Sequence, residues 1–188
     1  MEKLQIPNLL SGSRLALAPV SFYCIDTRMW LAAAIIVLVA VLTDLLDGYL
    51  ARRLNLQSRW GGLLDHSSDA IFVSVTLAAL AIQDLVAWLL PILVISAFLQ
   101  YVLDSKVIQG QTLRASLLGR YNGIAYFVLA GWPVMQNGLN LHPIDDSWFI
   151  WVSWVLILST VASMVDRLLA LNRARSGPKE PTRGTAPD

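Results

Sequence analysis

From Met29 to Leu42 the chain carries no polar side chain, and two residues later it carries a carboxylate. An apolar run of that length belongs in a membrane or a buried core, and Asp44 and Asp47 beyond it need partners that lipid cannot supply. Composition decides for the membrane. Of the 188 residues, 56% are hydrophobic and 14% charged, against about a quarter charged in soluble domains. A net charge of +1 says nothing about nucleic acid, but the chain has no basic patch interleaved with aromatics, so no nucleic-acid partner is expected. The one cysteine, Cys24, forms no internal disulfide and reads as a small packing residue. No cleavable signal peptide is expected, because Asn8, Ser11, Ser13 and Arg14 interrupt the N-terminal segment.

The acidic residues recur on a strict spacing. The chain reads D-x2-D-G-x2-A-R-x8-G-x3-D-x3-D, with Asp44, Asp47, Gly48, Ala51, Arg52, Gly61, Asp65 and Asp69 in the fixed places. At helical spacing Asp44 and Asp47 share one face, as do Asp65 and Asp69. Asn55, Gln57, Ser58, Gly61 and Gly62 favour a turn between the pairs. The expectation is a helical hairpin that brings two carboxylate pairs together at one end. Carboxylates that close repel unless cations hold them, so a divalent metal site follows. Oxygen-only donors point to Mg²⁺, Mn²⁺ or Ca²⁺ rather than zinc. His66, one residue past Asp65, points to another face and is not expected among the ligands.

Taken in order, the pattern gives an all-α membrane bundle of six helices. They run from about Pro7 to Ile25, Met29 to Leu54, Gly61 to Gln83, Val86 to Asp104, Arg114 to Met135 and Trp148 to Leu171. Arg14 and Asn8 lie on a polar side of the first helix, which is expected to face the bundle interior near the carboxylates. Gly119 and Gly123 form a small-xxx-small pair suited to close helix approach. Trp148, Trp151 and Trp154 suit an interfacial aromatic belt. Residues 1–172 make one membrane domain; residues 173–188, rich in Pro, Gly and charge, are expected to be a disordered tail. Among the fourteen Lys and Arg, only Arg28 falls on the face with the 26–28, 84–85 and 136–147 loops. The positive-inside rule then makes the opposite face, with both termini and the acidic hairpin, cytoplasmic.

The motif from Asp44 to Asp69 resembles the signature of the CDP-alcohol phosphatidyltransferases at every fixed position, and Ile6 to Pro19 is similar to that family's opening helix. The resemblance implies an enzyme that transfers a phosphatidyl group from CDP-diacylglycerol to an alcohol acceptor and releases CMP. It implies two divalent cations, Mg²⁺ or Mn²⁺, held by Asp44, Asp47, Asp65 and Asp69, with Asp69 also the general base. Gly48, Ala51 and Gly61 would leave room for the cytidine, and Arg52 would pair with phosphate. It further implies a homodimer among membrane lipids, of the bacterial inner-membrane type.

The acceptor is read from charge. Lys106, Arg114 and Arg120 sit at the cytoplasmic end, and a cation a turn inside a membrane helix is costly unless it faces a polar cavity. That favours a phosphorylated acceptor, glycerol 3-phosphate first. Ala70 stands where a Lys is common in that subfamily, which leaves inositol phosphate, serine or inositol open. The competing reading is a carrier that relays cations or protons through the aspartates. A relay needs ionisable groups through the membrane depth, and this chain clusters them at one face.

Overall fold

The computed structural model describes residues 5–53, 59–104, 117–141 and 143–176, and every regular element among them is an α-helix. Six follow in order: α1 (Gln5–Asp26), α2 (Trp30–Arg53), α3 (Arg59–Ile82), α4 (Leu89–Asp104), α5 (Leu117–Gly138) and α6 (Asp146–Ser176). The all-helical, six-helix reading of the sequence holds.

Three of the helices stop by one device. Arg28, Asp84 and Asn140, just past α1, α3 and α5, take left-handed backbone angles with φ of 57°, 58° and 53°. The amide of each bonds the carbonyl three residues back. The next amide reaches five back: Met29 to Cys24 at 2.7 Å, Leu85 to Leu80 at 3.0 Å, and Leu141 to Gln136 at 2.9 Å. This double closure satisfies carbonyls that a helix end otherwise leaves bare. Arg28 Nε then donates to Gln83 Oε1 at 3.0 Å, which ties the first two of these turns together.

Besides α5, which runs on to Gly138 and not Met135, two boundaries differ from the sequence reading. α4 begins at Leu89 and not near Val86, because the Leu85 amide closes the preceding turn and the Ala87 amide bonds Ser153 Oγ of α6 at 3.0 Å. Pro91 then falls in its first turn, where no intrahelical donor is needed. α6 continues to Ser176, past the expected end of the domain. Leu, Ala and Arg are good helix formers, and basic residues suit a helix C-terminus. Residues 177–188 lie outside the described part. At its other end, the Asp145 carboxylate caps α6 by accepting the Ser147 amide at 2.9 Å and hydroxyl at 2.6 Å, which holds its pKa below the usual carboxylate range.

α1 packs on α2 and α3, and α6 closes the far side against α4 and α5. Small buried residues (Ala18, Ala33, Ala34, Ala40, Ala79) let the helices approach closely. A close approach is made at Gly138, where a Cβ would stand 2.7 Å from Ala34 Cβ and 2.8 Å from Trp30 O. Gly123 plays no such part: a Cβ there meets nothing within 4 Å, and both Gly119 and Gly123 line a cavity. The close-approach reading is corrected for Gly123. Spacing marks small residues but does not say what faces them.

The polarity is that of a membrane protein. Arg14, Ser21, Thr76 and Ser153 are fully enclosed, while Leu158, Trp151 and Leu45 are 70%, 68% and 61% exposed. An outer surface of that kind is stable only against lipid. Trp30–Leu50, Gly61–Ile82 and Asp146–Ala170 are long and apolar enough to cross a membrane, and Leu89–Leu103 is apolar but shorter. The polar interruptions in α1 and α5, such as Ser11, Arg14 and Asn122, are buried inside the bundle and not turned to lipid.

Candidate active site

α2 and α3 form the expected hairpin, and their aspartates converge. The cation between them comes from α1. Arg14 Nη1 lies 2.5 Å from Asp44 Oδ1 and also bonds Asp69; Nη2 lies 2.7 Å from Asp47 Oδ2 and also bonds Asp65. The Arg14 side chain is wholly enclosed, as the polar side of the first helix led one to expect. Ser11, one turn earlier on the same face, donates to Asp47 Oδ2 at 3.0 Å and Asp65 Oδ1 at 3.3 Å. Sequence reasoning named Arg14 as a neighbour but did not assign it to the site, and it missed Ser11.

Four carboxylates can stand this close partly because a protein cation stands among them. One guanidinium cannot neutralise four carboxylates, however, so a strongly negative centre remains. Arg14 and Ser11 use one oxygen of each carboxylate they touch, leaving the other oxygen available. Oxygens of Asp44, Asp47 and Asp65 lie within 4.8 Å of one another, as do donor atoms of Asp65, His66 and Asp69. The expectation that His66 points away from the aspartates is therefore corrected. At one residue's offset its long side chain still reaches back to the carboxylates.

A cavity of about 940 Å³ opens from this centre and runs between α2, α3, α4, α5 and α6. Asp44, Asp69 and His66 form one wall, while Arg120 of α5 and Arg167 of α6 line it elsewhere. Arg167 stacks over the Tyr101 ring at 5.0 Å, and His66 meets the same ring edge-on at 6.2 Å. Val73, Phe98, Phe127 and Trp132 make the rest apolar. Arg120 thus lines the cavity and is itself exposed near the start of α5. Arg167 and Tyr101 were not singled out from the sequence; an arginine near the cytoplasmic end of a helix looks like a headgroup anchor.

The remaining site candidates are less connected. Gly48 lies next to Asp47 on α2 and Gly61 in the first turn of α3, both half-buried and neither lining the cavity. The side chains of Ala51 and Arg52 lie outside the described residues, as do Lys106, Arg114 and Asn8.

A model of the CDP-alcohol phosphatidyltransferases matches residues 4–167. The chain belongs to that family. Over 178 residues it is 28% identical to the CDP-diacylglycerol–glycerol-3-phosphate 3-phosphatidyltransferase of Bacillus subtilis, a match covering 84% of this chain and 90% of that one. It is 40% identical over 74 residues to the protein of the same name from Aquifex aeolicus, covering 39% of this chain and 42% of the relative. It is likewise 40% identical over 92 residues to the human cardiolipin synthase (CMP-forming), covering 48% and 31%. No solved structure matches.

CDP-alcohol phosphatidyltransferases are transferases of phospholipid synthesis that use divalent cations, and the donor set here fits such ions. It offers carboxylate oxygens with a free lone pair each, a residual negative charge and partial access from the cavity. Asp47 is the enclosed member, with its side chain 4% exposed, and Asp44 the open one at 35%. A carrier reading finds no support, since the ionisable cluster lies at one end of α2 and α3.

Proposed function

We propose that this protein transfers the phosphatidyl group of CDP-diacylglycerol to glycerol 3-phosphate and releases CMP. The observation that carries the reading is the cavity that joins Asp44 and Asp69 to Arg120 and Arg167. A carboxylate wall suits metal-held diphosphate and a proton acceptor, and arginines lining the same cavity suit a phosphate on the acceptor. The relatives named for glycerol-3-phosphate transfer point the same way.

Each residue then has a task. Asp44, Asp47, Asp65 and Asp69 hold two divalent cations, Mg²⁺ or Mn²⁺. Bound there, such ions neutralise the diphosphate and the departing CMP. Arg14 and Ser11 fix the carboxylates in place through the bonds described above. Gly48, Ala51 and Gly61 leave backbone room for the cytidine, and Arg52 pairs with phosphate. Arg120 and Arg167 hold the acceptor phosphate, so that its hydroxyl is directed toward Asp69. Asp69 uses its oxygen not bonded to Arg14 to take the hydroxyl proton. The hydroxyl oxygen forms a bond to the phosphorus that carries the diacylglycerol, and the bond from that phosphorus to the CMP oxygen breaks. The apolar lining and the lipid-facing surface accommodate the acyl chains.

By the charge asymmetry, the site faces the cytoplasm of a bacterial-type inner membrane, with both termini on that side. By family, the working form is a homodimer.

The test is an acceptor panel. Purified protein is given CDP-diacylglycerol, Mg²⁺ and glycerol 3-phosphate, inositol phosphate, inositol or serine in turn. CMP release should be at least about tenfold faster with glycerol 3-phosphate than with inositol or serine, which lose the charge-assisted phosphate contact, while inositol phosphate keeps that contact and is the phosphorylated comparison. Release with serine or inositol alone would overturn the acceptor while leaving the family intact.

A further inference from the structure

The two groupings of donor atoms in the aspartate centre differ in one member. Asp44, Asp47 and Asp65 bring three oxygens within 4.8 Å of one another, while Asp65, Asp69 and His66 bring two oxygens and an imidazole nitrogen within 4.8 Å. Asp65 is common to both. Opposite ligands of one small divalent ion stand about 4.2 Å apart, twice a bond length of roughly 2.1 Å. A spread under 4.8 Å therefore closes onto an ion with small side-chain adjustments.

The surroundings of His66 fit that part. Its ring meets the Tyr101 ring of α4 edge-on at 6.2 Å, which steadies it, and it lines the cavity together with Asp44 and Asp69. Among the described residues no hydrogen bond or ion pair joins the imidazole to a carboxylate, whereas Arg14 pairs directly with both Asp65 and Asp69. The nitrogen is thus close to two carboxylates but too far for a direct bond. That separation matches ligands on opposite sides of a shared ion. The centre it faces is one that a single guanidinium leaves strongly negative. The D-x3-D spacing leaves position 66 open, so the imidazole is a feature of this chain and not of the motif.

We infer that His66 is a metal-ligating residue: with Asp65 and Asp69 it makes one cation position a mixed nitrogen and oxygen site that favours Mn²⁺ over Mg²⁺. Asp44, Asp47 and Asp65 make the other position from oxygens alone. The inference rests on the metal-dependent reading above and deepens it by making the two positions unequal. Imidazole nitrogen suits first-row transition ions, which bind it more strongly than Mg²⁺ does, and Mg²⁺ keeps to carboxylate, carbonyl and water oxygens.

The test reads the metal and not the turnover. Full-length protein in detergent, with any polyhistidine tag removed, is given excess Mg²⁺ and half an equivalent of Mn²⁺. Pulsed electron paramagnetic resonance then reports whether a nitrogen is bonded directly to the manganese. The wild type should show that nitrogen, and His66→Gln, which keeps an oxygen donor at the position, should lose it. The Mg²⁺ concentration that displaces half the Mn²⁺, read from the signal of the free ion, should fall at least about tenfold in the variant, since loss of even an outer-shell partner of a metal ligand costs that much. Manganese held through oxygen alone in the wild type, or a nitrogen signal that survives in His66→Gln, overturns the inference and leaves the metal-dependent reading standing. So does Mn²⁺ that binds alone but is displaced by equimolar Mg²⁺. A wild type that binds no Mn²⁺ even without Mg²⁺ overturns both. The wild-type spectrum decides by itself, so the inference stays open to refutation even if His66→Gln fails to fold.

Discussion

Arg14 and Asp47 form the most enclosed ion pair among the described residues, Nη2 to Oδ2 at 2.7 Å with side chains 0% and 4% exposed. The pair joins α1 to the hairpin, and the same guanidinium reaches the other three aspartates. Removing one member of a buried pair leaves the other charge uncompensated, at a cost of about 3–5 kcal/mol. Arg14→Gln should therefore lower the thermal unfolding midpoint sharply, followed by tryptophan fluorescence in detergent. Arg14→Lys should recover only part of the loss, because a point charge cannot serve four carboxylates as a planar fork does. An unchanged midpoint in Arg14→Gln would show that the four contacts contribute nothing net.

Arg120 and Arg167 are assigned one job, so their substitutions should behave alike. Hydrogen bonds to charged groups contribute about 1.5–3 kcal/mol, which corresponds to roughly 10- to 100-fold in binding. Arg120→Ala and Arg167→Ala should each raise the KM for glycerol 3-phosphate by about that factor and change the KM for CDP-diacylglycerol little. Steady-state CMP release with each substrate varied in turn decides it. A matching rise for the CDP-lipid would place the arginines on the wrong substrate.

Two glycines of α5 should respond in opposite senses to the same change. Gly138→Ala forces a methyl against Ala34 and the Trp30 carbonyl, and overpacking of that kind costs about 1–3 kcal/mol. Gly123→Ala meets open space and gains about 1 kcal/mol of helix propensity. Thermal melts of the two variants should therefore move down and up respectively. Equal shifts would mean that the α2–α5 contact is not where the structure has it.

What the sequence disclosed and what it withheld divide along a physical line. The hairpin, its four aspartates and the inward Arg14 were legible because carboxylates and a guanidinium among apolar residues can go in few places. The Schellman ends at Asp84 and Asn140 were visible only as polar breaks. The far wall of the cavity was not legible. Gln100, Asn122 and Arg167 are single polar residues on three different helices, and no spacing in the chain relates them. Only the packing of α4, α5 and α6 brings them to the cavity that Asp69 also lines. Gly123 was misread for a related reason, since the small-xxx-small motif is silent about whether the facing surface is a helix or a space.

Orientation is a separate question with a direct answer. With Cys24 replaced by serine, single cysteines at Arg53 and Asn140, both exposed and at opposite ends of the bundle, should react with an impermeant thiol reagent from opposite sides. Arg53→Cys should label from the cytoplasmic side only. Labelling of both from one side would contradict the bundle as a spanning structure.

The central claim is that the aspartate centre performs a metal-dependent transfer with Asp69 taking the proton. The measurement is the rate of CMP release from CDP-diacylglycerol and glycerol 3-phosphate, by wild type and Asp69→Asn, with saturating Mg²⁺ and after chelation. An asparagine keeps the shape but cannot accept a proton at neutral pH. The account predicts no release from either protein after chelation. With Mg²⁺ it predicts a kcat for Asp69→Asn lower by about 10² or more, with CDP-lipid binding largely kept. Full release after chelation, or an Asp69→Asn enzyme as fast as the wild type, would contradict it.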